Sequence, residues 1–345
     1  MKKRDPSKGK RHDAFGHALA LIRDVCGVAG TASLIEDARA DLARTGVIEA
    51  VQHHDDTALF GWLLDVMSYQ GISDVAAWTY MERHGRVAHG DVAAGLEGGP
   101  PCPKLKSYWH FSGCGYRKTA QICNEPNHFQ SCPLPKHDLR NGNLNQAAYG
   151  LHLFMRDITN GDFVRWIDAR LALVDRPRPH MRSQSLVDAL IAPLRNVHGL
   201  SDKVLNMSLS MLLLAGDPNR KAWVTAGTAM IAIDTLVHNW FHRTGILARL
   251  NAEHPYGPRC YTDHGCASII GAAARKIDAR AYNPEFPPVF PRFVQFAIWR
   301  FCSQAGFNQC NGNTVRDGTR CTDADCPLFA GCDRIALPLI RPIAA

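Results

Sequence analysis

The chain has 345 residues, of which 46% are hydrophobic, and it carries a net charge of +7 with the histidines neutral. This length can bury a large core, yet no stretch approaches the roughly 18 apolar residues of a membrane helix, and the charged N-terminus lacks the apolar run of a signal peptide. We therefore expect a cytoplasmic, monomeric protein without a membrane partner. The basic charge indicates a polyanionic partner, or simply a mildly basic soluble enzyme.

Apolar residues that recur three and four positions apart predict a chain that is nearly all α-helical. After a basic segment that extends to about residue 12, this period is clear in AFGHALALIRDV and LFGWLLDVMSY. Gly and Pro in GLEGGPPCPKLK end this region, and a cysteine-bearing loop follows to about residue 145. Further helices are predicted in LNQAAYGLHLFMRDI, LVDALIAPLRNVHGL, SDKVLNMSLSMLLLAG, IDTLVHNWFHRTGIL, CASIIGAAARKI and PRFVQFAIWRFCSQAG, with a basic connector, VDRPRPHMRS, after the first of them.

A lysine and an aspartate, 31 positions apart, each lie at the start of a predicted helix. Ser201 or Asp202 can cap one helix, which puts Lys203 in its first turn, where the helix dipole disfavours a cation and favours the neutral, nucleophilic amine. Asp234 precedes the other helix. From the residues alone, Lys203 is either a nucleophile or a solvated lysine, and Asp234 is either a catalytic carboxylate or a plain N-cap. The polar residues after it, His238, Asn239, His242 and Arg243, are interpreted as a solvated helix face.

Residues 186–247 resemble the helix-hairpin-helix DNA glycosylase superfamily, of which endonuclease III is a member. In that family a hairpin that ends in a catalytic lysine is followed by a Val-Asp-Thr-His-Val segment. Here the corresponding segment reads Ile233-Asp234-Thr235-Leu236-Val237, followed by Arg243-Thr244-Gly245. The spacing of lysine and aspartate is similar to that of the archaeal 8-oxoguanine glycosylases. The family's Gly-x-Gly hairpin is reduced here to His198-Gly199-Leu200-Ser201.

The resemblance implies two helical lobes, one with the hairpin and the other built from both termini, that bind double-stranded DNA containing a modified base. It assigns DNA contacts to His198, Gly199 and Ser201 in the hairpin. A flipped nucleotide would be attacked at its anomeric carbon by Lys203, with Asp234 stabilising the positive charge on the sugar, and β-elimination would then nick the strand. The implied function is a DNA glycosylase with AP-lyase activity. The alternatives are a monofunctional glycosylase and a DNA-binding protein without excision activity.

The twelve cysteines indicate metal or iron–sulfur ligands, because disulfides are rare in the cytoplasm. Endonuclease III-like proteins end in C-x6-C-x2-C-x5-C, which holds a [4Fe-4S] cluster. Here the last gap is the same, with five residues between Cys326 and Cys332, and Pro327 follows Cys326 as is typical of the family. The earlier gaps are wider. The resemblance therefore implies a cluster on four tail cysteines, with Cys302 as an alternative to the first and with Arg316 and Arg320 facing the DNA phosphates. The tail cysteines are Cys310, Cys321, Cys326 and Cys332.

A second cysteine group has no counterpart in the family and lies in a loop with little apolar content. These loop cysteines are Cys102, Cys114, Cys123 and Cys132. Four thiols in such a loop predict a second metal site, either zinc or a second iron–sulfur cluster. The long gaps and the repeated Cys132-Pro133-Leu134 favour a cluster, and His110 or His128 can substitute for a cysteine. The role of Cys260 and Cys266, which flank Asp263 and His264, stays open, and Cys26 is expected in the core.

Together these features predict four segments. Residues 1–100 form an N-terminal helical region, 101–145 a metal-binding insertion, 146–250 the helix-hairpin-helix core, and 251–345 a C-terminal helix with the iron–sulfur cluster.

Overall fold

The structure is a computed structural model that describes residues 6–69, 74–137, 142–175, 179–312 and 314–338. These residues form sixteen α-helices and no β-strand, which confirms the all-α prediction. The helices are α1 (Pro6–Ala29), α2 (Leu34–Arg44), α3 (Val47–His53), α4 (Asp56–Met67), α5 (Asp74–His84), α6 (His89–Ala94), α7 (Tyr108–Phe111), α8 (Gly142–Asp157), α9 (Phe163–Val174), α10 (Pro179–Leu194), α11 (Asp202–Ala215), α12 (Lys221–Ala229), α13 (Thr235–Arg243), α14 (Ile246–Arg249), α15 (Cys266–Ala274) and α16 (Pro291–Cys302).

Two helices begin earlier than the sequence predicts. α1 starts at Pro6, within the basic N-terminal segment, and α10 starts at Pro179, within the predicted connector. Proline is tolerated in the first turn of a helix because the N–H that it lacks has no intrahelical partner there. A proline that reads as a helix breaker in the sequence therefore starts both of these helices.

Three other helices, α7, α9 and α12, were not predicted from the sequence. Asp162 caps α9 and accepts a hydrogen bond from the backbone N–H of Arg165 at 2.8 Å. The buried residues Phe163, Ile167 and Leu171 lie four apart, which is the signal that identifies α9 in the sequence.

Contacts divide the chain into two compact units. The terminal unit comprises Met1–Leu34 and Thr228–Ala345, and the central unit comprises Ile35–Gly227. The segment predicted for residues 146–250 contributes to both units.

In the terminal unit, α16 packs against α1, α13 and α15. Its residues Phe293, Ala297 and Phe301 repeat every four positions and are fully buried, so one face of α16 forms the centre of this core. In the central unit, α4 packs against α3, α6, α8 and α11.

No single helix of the described residues is long and apolar enough to cross a membrane. One bent pair, Asp13–Ala29 with Leu34–Arg44, meets the criteria of length and composition only when the two helices are taken together.

Candidate metal centres and catalytic residues

Two histidines and two cysteines of the terminal unit form a compact group, the His2Cys2 group. Its members are His238, His254, Cys260 and Cys266. One ligand atom from each residue lies within 4.8 Å of all the others, and His238, Cys260 and Cys266 are buried. The group is a candidate site for a metal such as zinc.

The distances in this group match a tetrahedral zinc site. His238 Nδ1 lies 3.5 Å from the Sγ of Cys260 and 3.6 Å from the Sγ of Cys266, and His254 Nε2 lies 3.6 Å from the Sγ of Cys266. Zn–S bonds of about 2.3 Å and Zn–N bonds of about 2.0–2.1 Å give sulfur–nitrogen edges of about 3.6 Å in a tetrahedron. The side chains are therefore already spaced for one ion.

Neighbouring groups prepare the ligands for a metal. His254 Nδ1 lies 2.6 Å from the carbonyl oxygen of Ala252, a bond that leaves Nε2 as the ligand nitrogen. A hydrogen bond from the Cys266 thiol lowers the pKa of Cys260, while the same bond and burial raise the pKa of Cys266. A bound metal would hold both sulfurs as thiolates.

The sequence left the role of Cys260 and Cys266 open and assigned the histidines no metal. His238 was interpreted as part of a solvated helix face, and this interpretation was wrong, because only 5% of the residue is exposed. Asp263 and His264, which lie between the two cysteines, are exposed and do not join the group. The four ligands come from α13, a loop, a 3-10 turn (Pro258–Tyr261) and α15. Because they are spread over four segments, they do not form a short sequence motif.

Replacement of Cys266 by Ala is expected to remove about one zinc per chain and to lower the Tm by about 5 °C, because the ligands hold three separate elements together. Zinc is measured by elemental analysis and the Tm by circular dichroism. Cys26→Ala is the matched control, since Cys26 is equally buried but lies on α1 outside the group. An unchanged zinc content in Cys266→Ala would contradict the assignment.

The four tail cysteines line one pocket, so the structure brings together the thiols that the sequence selected. The backbone N–H of Leu328 donates to the Sγ of Cys326, and the N–H of Arg334 donates to the Sγ of Cys332 at 3.4 Å. Cys302 is fully buried and forms a hydrogen bond with Cys310, which is itself at the pocket. Cys302 therefore contacts the tail group through its hydrogen bond with Cys310.

Side-chain donors without partners converge on this tail pocket. Trp240 Nε1, Arg243 Nε and Nη1, and Arg334 Nε are buried atoms without a hydrogen-bond partner, and all three residues line the pocket. The other guanidinium nitrogen of Arg243, Nη2, pairs with Asp317 at 2.6 Å. Only 1% of Arg243 is exposed, so its interpretation as part of a solvated face was also wrong. Gln309 Oε1, a buried acceptor at the same pocket, also lacks a partner, so these polar atoms have hydrogen-bonding capacity that the described side chains do not fill.

The four loop cysteines line a second pocket, which lies within the central unit. His128 also lies at this pocket, whereas His110 is exposed and bonds through Nδ1 to Ser107 Oγ at 2.6 Å. Both predicted cysteine groups are thus assembled in the fold.

A tight turn of residues 195–201 connects α10 to α11. Gly199 has a φ of +84°, a conformation that glycine adopts without strain. Arg195 Nε and Nη2 lie 2.6 and 3.1 Å from the two carboxylate oxygens of Asp202, so a two-pronged ion pair ties the ends of the turn. Ser201 occupies the N-cap position of α11.

The predicted catalytic pair lies at two helix starts, as the sequence indicated. Lys203 is the second residue of α11 in the central unit and is partly buried. Asp234 is the N-cap of α13 in the terminal unit, and its carboxylate accepts a hydrogen bond from the backbone N–H of Val237 at 2.9 Å. The N-cap role of Asp234 is confirmed, and its catalytic role stays a prediction.

The remaining predicted DNA contacts differ in exposure. Arg316 and Arg320 are exposed, whereas His198 is partly buried and its side chain bonds to the carbonyl of Cys114. Trp109 on α7 is 64% exposed, which is unusual for so large an aromatic residue.

No protein-family model, curated protein or solved structure matches this chain.

Proposed function

We propose that the protein is a DNA glycosylase with AP-lyase activity, acting on double-stranded DNA that contains a modified base. The observation that carries the proposal is the tight turn before α11. It combines Gly199 in a left-handed conformation, an ion pair that ties its ends, and Lys203 in the first turn of the following helix. A turn of this kind between two helices can present backbone N–H groups to a phosphate.

Two side chains carry the proposed chemistry. The Lys203 amine attacks the anomeric carbon of the sugar, and the bond to the base breaks so that the base leaves. The sugar ring then opens to a Schiff base, which permits β-elimination of the 3′ phosphate and so nicks the strand. Asp234 stabilises the positive charge that develops on the sugar. The proposed phosphate contacts are those of the turn, His198, Gly199 and Ser201, together with the exposed Arg316 and Arg320.

The tail pocket fits an iron–sulfur cluster. A four-iron cluster on four thiolates is a buried anion, and the unpartnered donors of Trp240, Arg243 and Arg334 would face its sulfurs. The four tail cysteines would hold it, with Leu328 donating to the sulfur of Cys326. Such a cluster would order the 310–332 loop, which carries Arg316 and Arg320.

Cys326→Ser and Cys332→Ser are each expected to remove about four irons per chain, because each change removes one thiolate ligand. The protein purified without oxygen should be brown. Both variants should lose the visible absorption of the tail cluster and should bind DNA more weakly. Cys26→Ser is the control and should keep its iron. Full iron content in both tail variants would reject the cluster at this site.

The central experiment is borohydride trapping on a duplex that contains an abasic site, which makes knowledge of the excised base unnecessary. The proposal predicts a covalent protein–DNA adduct, and peptide mass spectrometry should place it on Lys203. Excision of a base from a lesion panel without trapping would indicate a monofunctional glycosylase. Binding of duplex DNA with neither activity would indicate a DNA-binding module of the same fold.

A further inference from the structure

The loop of residues 101–137 is arranged around its four thiols although it contains little regular structure. A single bridge pairs Arg117 with Ile122, which makes a short hairpin that brings Cys114 and Cys123 towards each other. A Cβ on Gly115 would lie 2.2 Å from side-chain atoms of Asn124, so the glycine lets the Asn124 side chain pack against the backbone beside Cys114.

The loop cysteines do not form a compact group of the kind that the His2Cys2 residues form. Zn–S bonds of about 2.3 Å place four sulfurs about 3.8 Å apart in a tetrahedron. Among the described residues, ligand atoms that all lie within 4.8 Å of one another occur in the His2Cys2 group and not in the loop group. The thiols nevertheless line one pocket, which can hold a polynuclear centre whose ligands lie farther apart than those of a single ion.

Hydrogen bonds to the sulfurs repeat those of the tail pocket. In Cys132-Pro133-Leu134 the N–H of Leu134 donates to the Sγ of Cys132, as the N–H of Leu328 does to Cys326 in the same tripeptide of the tail. Leu134 and Leu328 are both buried and line their pockets. Backbone donors to sulfur and an apolar wall are features that tune and protect iron–sulfur clusters.

The loop pocket is connected to the turn before α11 through Cys114. The carbonyl of Cys114 accepts from the side chain of His198 and from Gln146 Nε2 at 3.4 Å. A Cβ on Gly150 of α8 would lie 3.3 Å from the backbone nitrogen of His198, so α8 and the turn are in close contact. Any centre that fixes Cys114 therefore also fixes one side of the turn.

We propose that the loop cysteines hold a second iron–sulfur cluster and that this cluster braces the turn of residues 195–201. The inference does not depend on base excision, because both the cluster and the bracing are measurable without DNA.

The first test is the metal content of the full-length protein purified without oxygen. Two clusters and one His2Cys2 site predict about eight irons, about eight acid-labile sulfides and about one zinc per chain. About four irons with two zincs, together with the loss of a zinc and no iron in Cys123→Ala, would overturn the proposal, because the loop thiols would then hold zinc. The metal count itself needs no variant and so does not depend on a mutant that folds.

The second test assigns the iron to the loop and measures the bracing. Cys123→Ala, at a partly exposed position, is expected to lose about four irons and keep its zinc, and amide hydrogen exchange in residues 195–201 should become faster. Cys26→Ala should match the wild type in both measurements. Undiminished iron in Cys123→Ala would refute the site, and unchanged exchange despite the loss of iron would refute the bracing.

Discussion

Asp234→Asn is expected to lower base excision by about a hundredfold or more while the fold is kept. Asparagine caps helices as well as aspartate does, so the hydrogen bond to the N–H of Val237 can persist. What is lost is the negative charge that would stabilise the sugar cation. Excision is measured as kcat/KM on the lesion duplex that the wild type cleaves fastest, and the Tm is measured alongside.

The position of Asp234 is held from two sides. Tyr261, at the end of the 3-10 turn that carries Cys260, accepts a hydrogen bond from the backbone N–H of Ile233 at 2.9 Å. His238, one turn into α13, belongs to the His2Cys2 group. A metal bound to the His2Cys2 group would therefore restrain the segments on both sides of Asp234, and we expect Cys266→Ala to reduce excision as well as stability.

Asp55→Asn is the matched control for Asp234→Asn. Asp55 is the N-cap of α4 and accepts from the N–H groups of Thr57 and Ala58 at 2.9 and 3.1 Å, so the same chemical change is made at a helix start in the other unit. It should leave excision unchanged. If Asp234→Asn also left turnover unchanged, Asp234 would be only a cap, and that result would falsify its catalytic role.

Lys203→Gln is expected to abolish both strand nicking and borohydride trapping, since glutamine cannot form a Schiff base. Lys203 lies next to Asp202, whose ion pair with Arg195 ties the turn, and the substitution leaves that pair intact. Binding to a duplex with an abasic site should therefore stay near that of the wild type. Adduct formation is read on denaturing gels and binding by fluorescence anisotropy at fixed salt.

Lys221→Gln is the corresponding control, because Lys221 is the first residue of α12 and is exposed. It should trap as efficiently as the wild type. Undiminished trapping in Lys203→Gln would move the nucleophile to another lysine and remove the basis for the proposed alignment with the glycosylases.

Features that depend on neighbours along the chain could be predicted from the amino-acid sequence. Apolar residues at helical spacing identified most of the helices, and the residue type at helix starts identified the N-cap role of Asp234. The two cysteine groups were also readable, because each set of four cysteines falls within a short, polar stretch of the sequence. Cys310 was preferred to Cys302 as a tail ligand, and the structure puts Cys310 at the tail pocket.

Features that depend on residues far apart in the chain became visible only in the folded protein. The ligands of the His2Cys2 group are spread over residues 238 to 266. Two of them, His254 and Cys260, lie outside the α-helices, so the four side chains come together only through tertiary packing. The burial of Arg243 could not be read either, because a polar residue near a helix end has the same local signature whether it faces water or a pocket. The assembly of the loop thiols around one pocket is likewise a three-dimensional feature, because the gaps between cysteines along a loop do not fix the distances between their sulfurs.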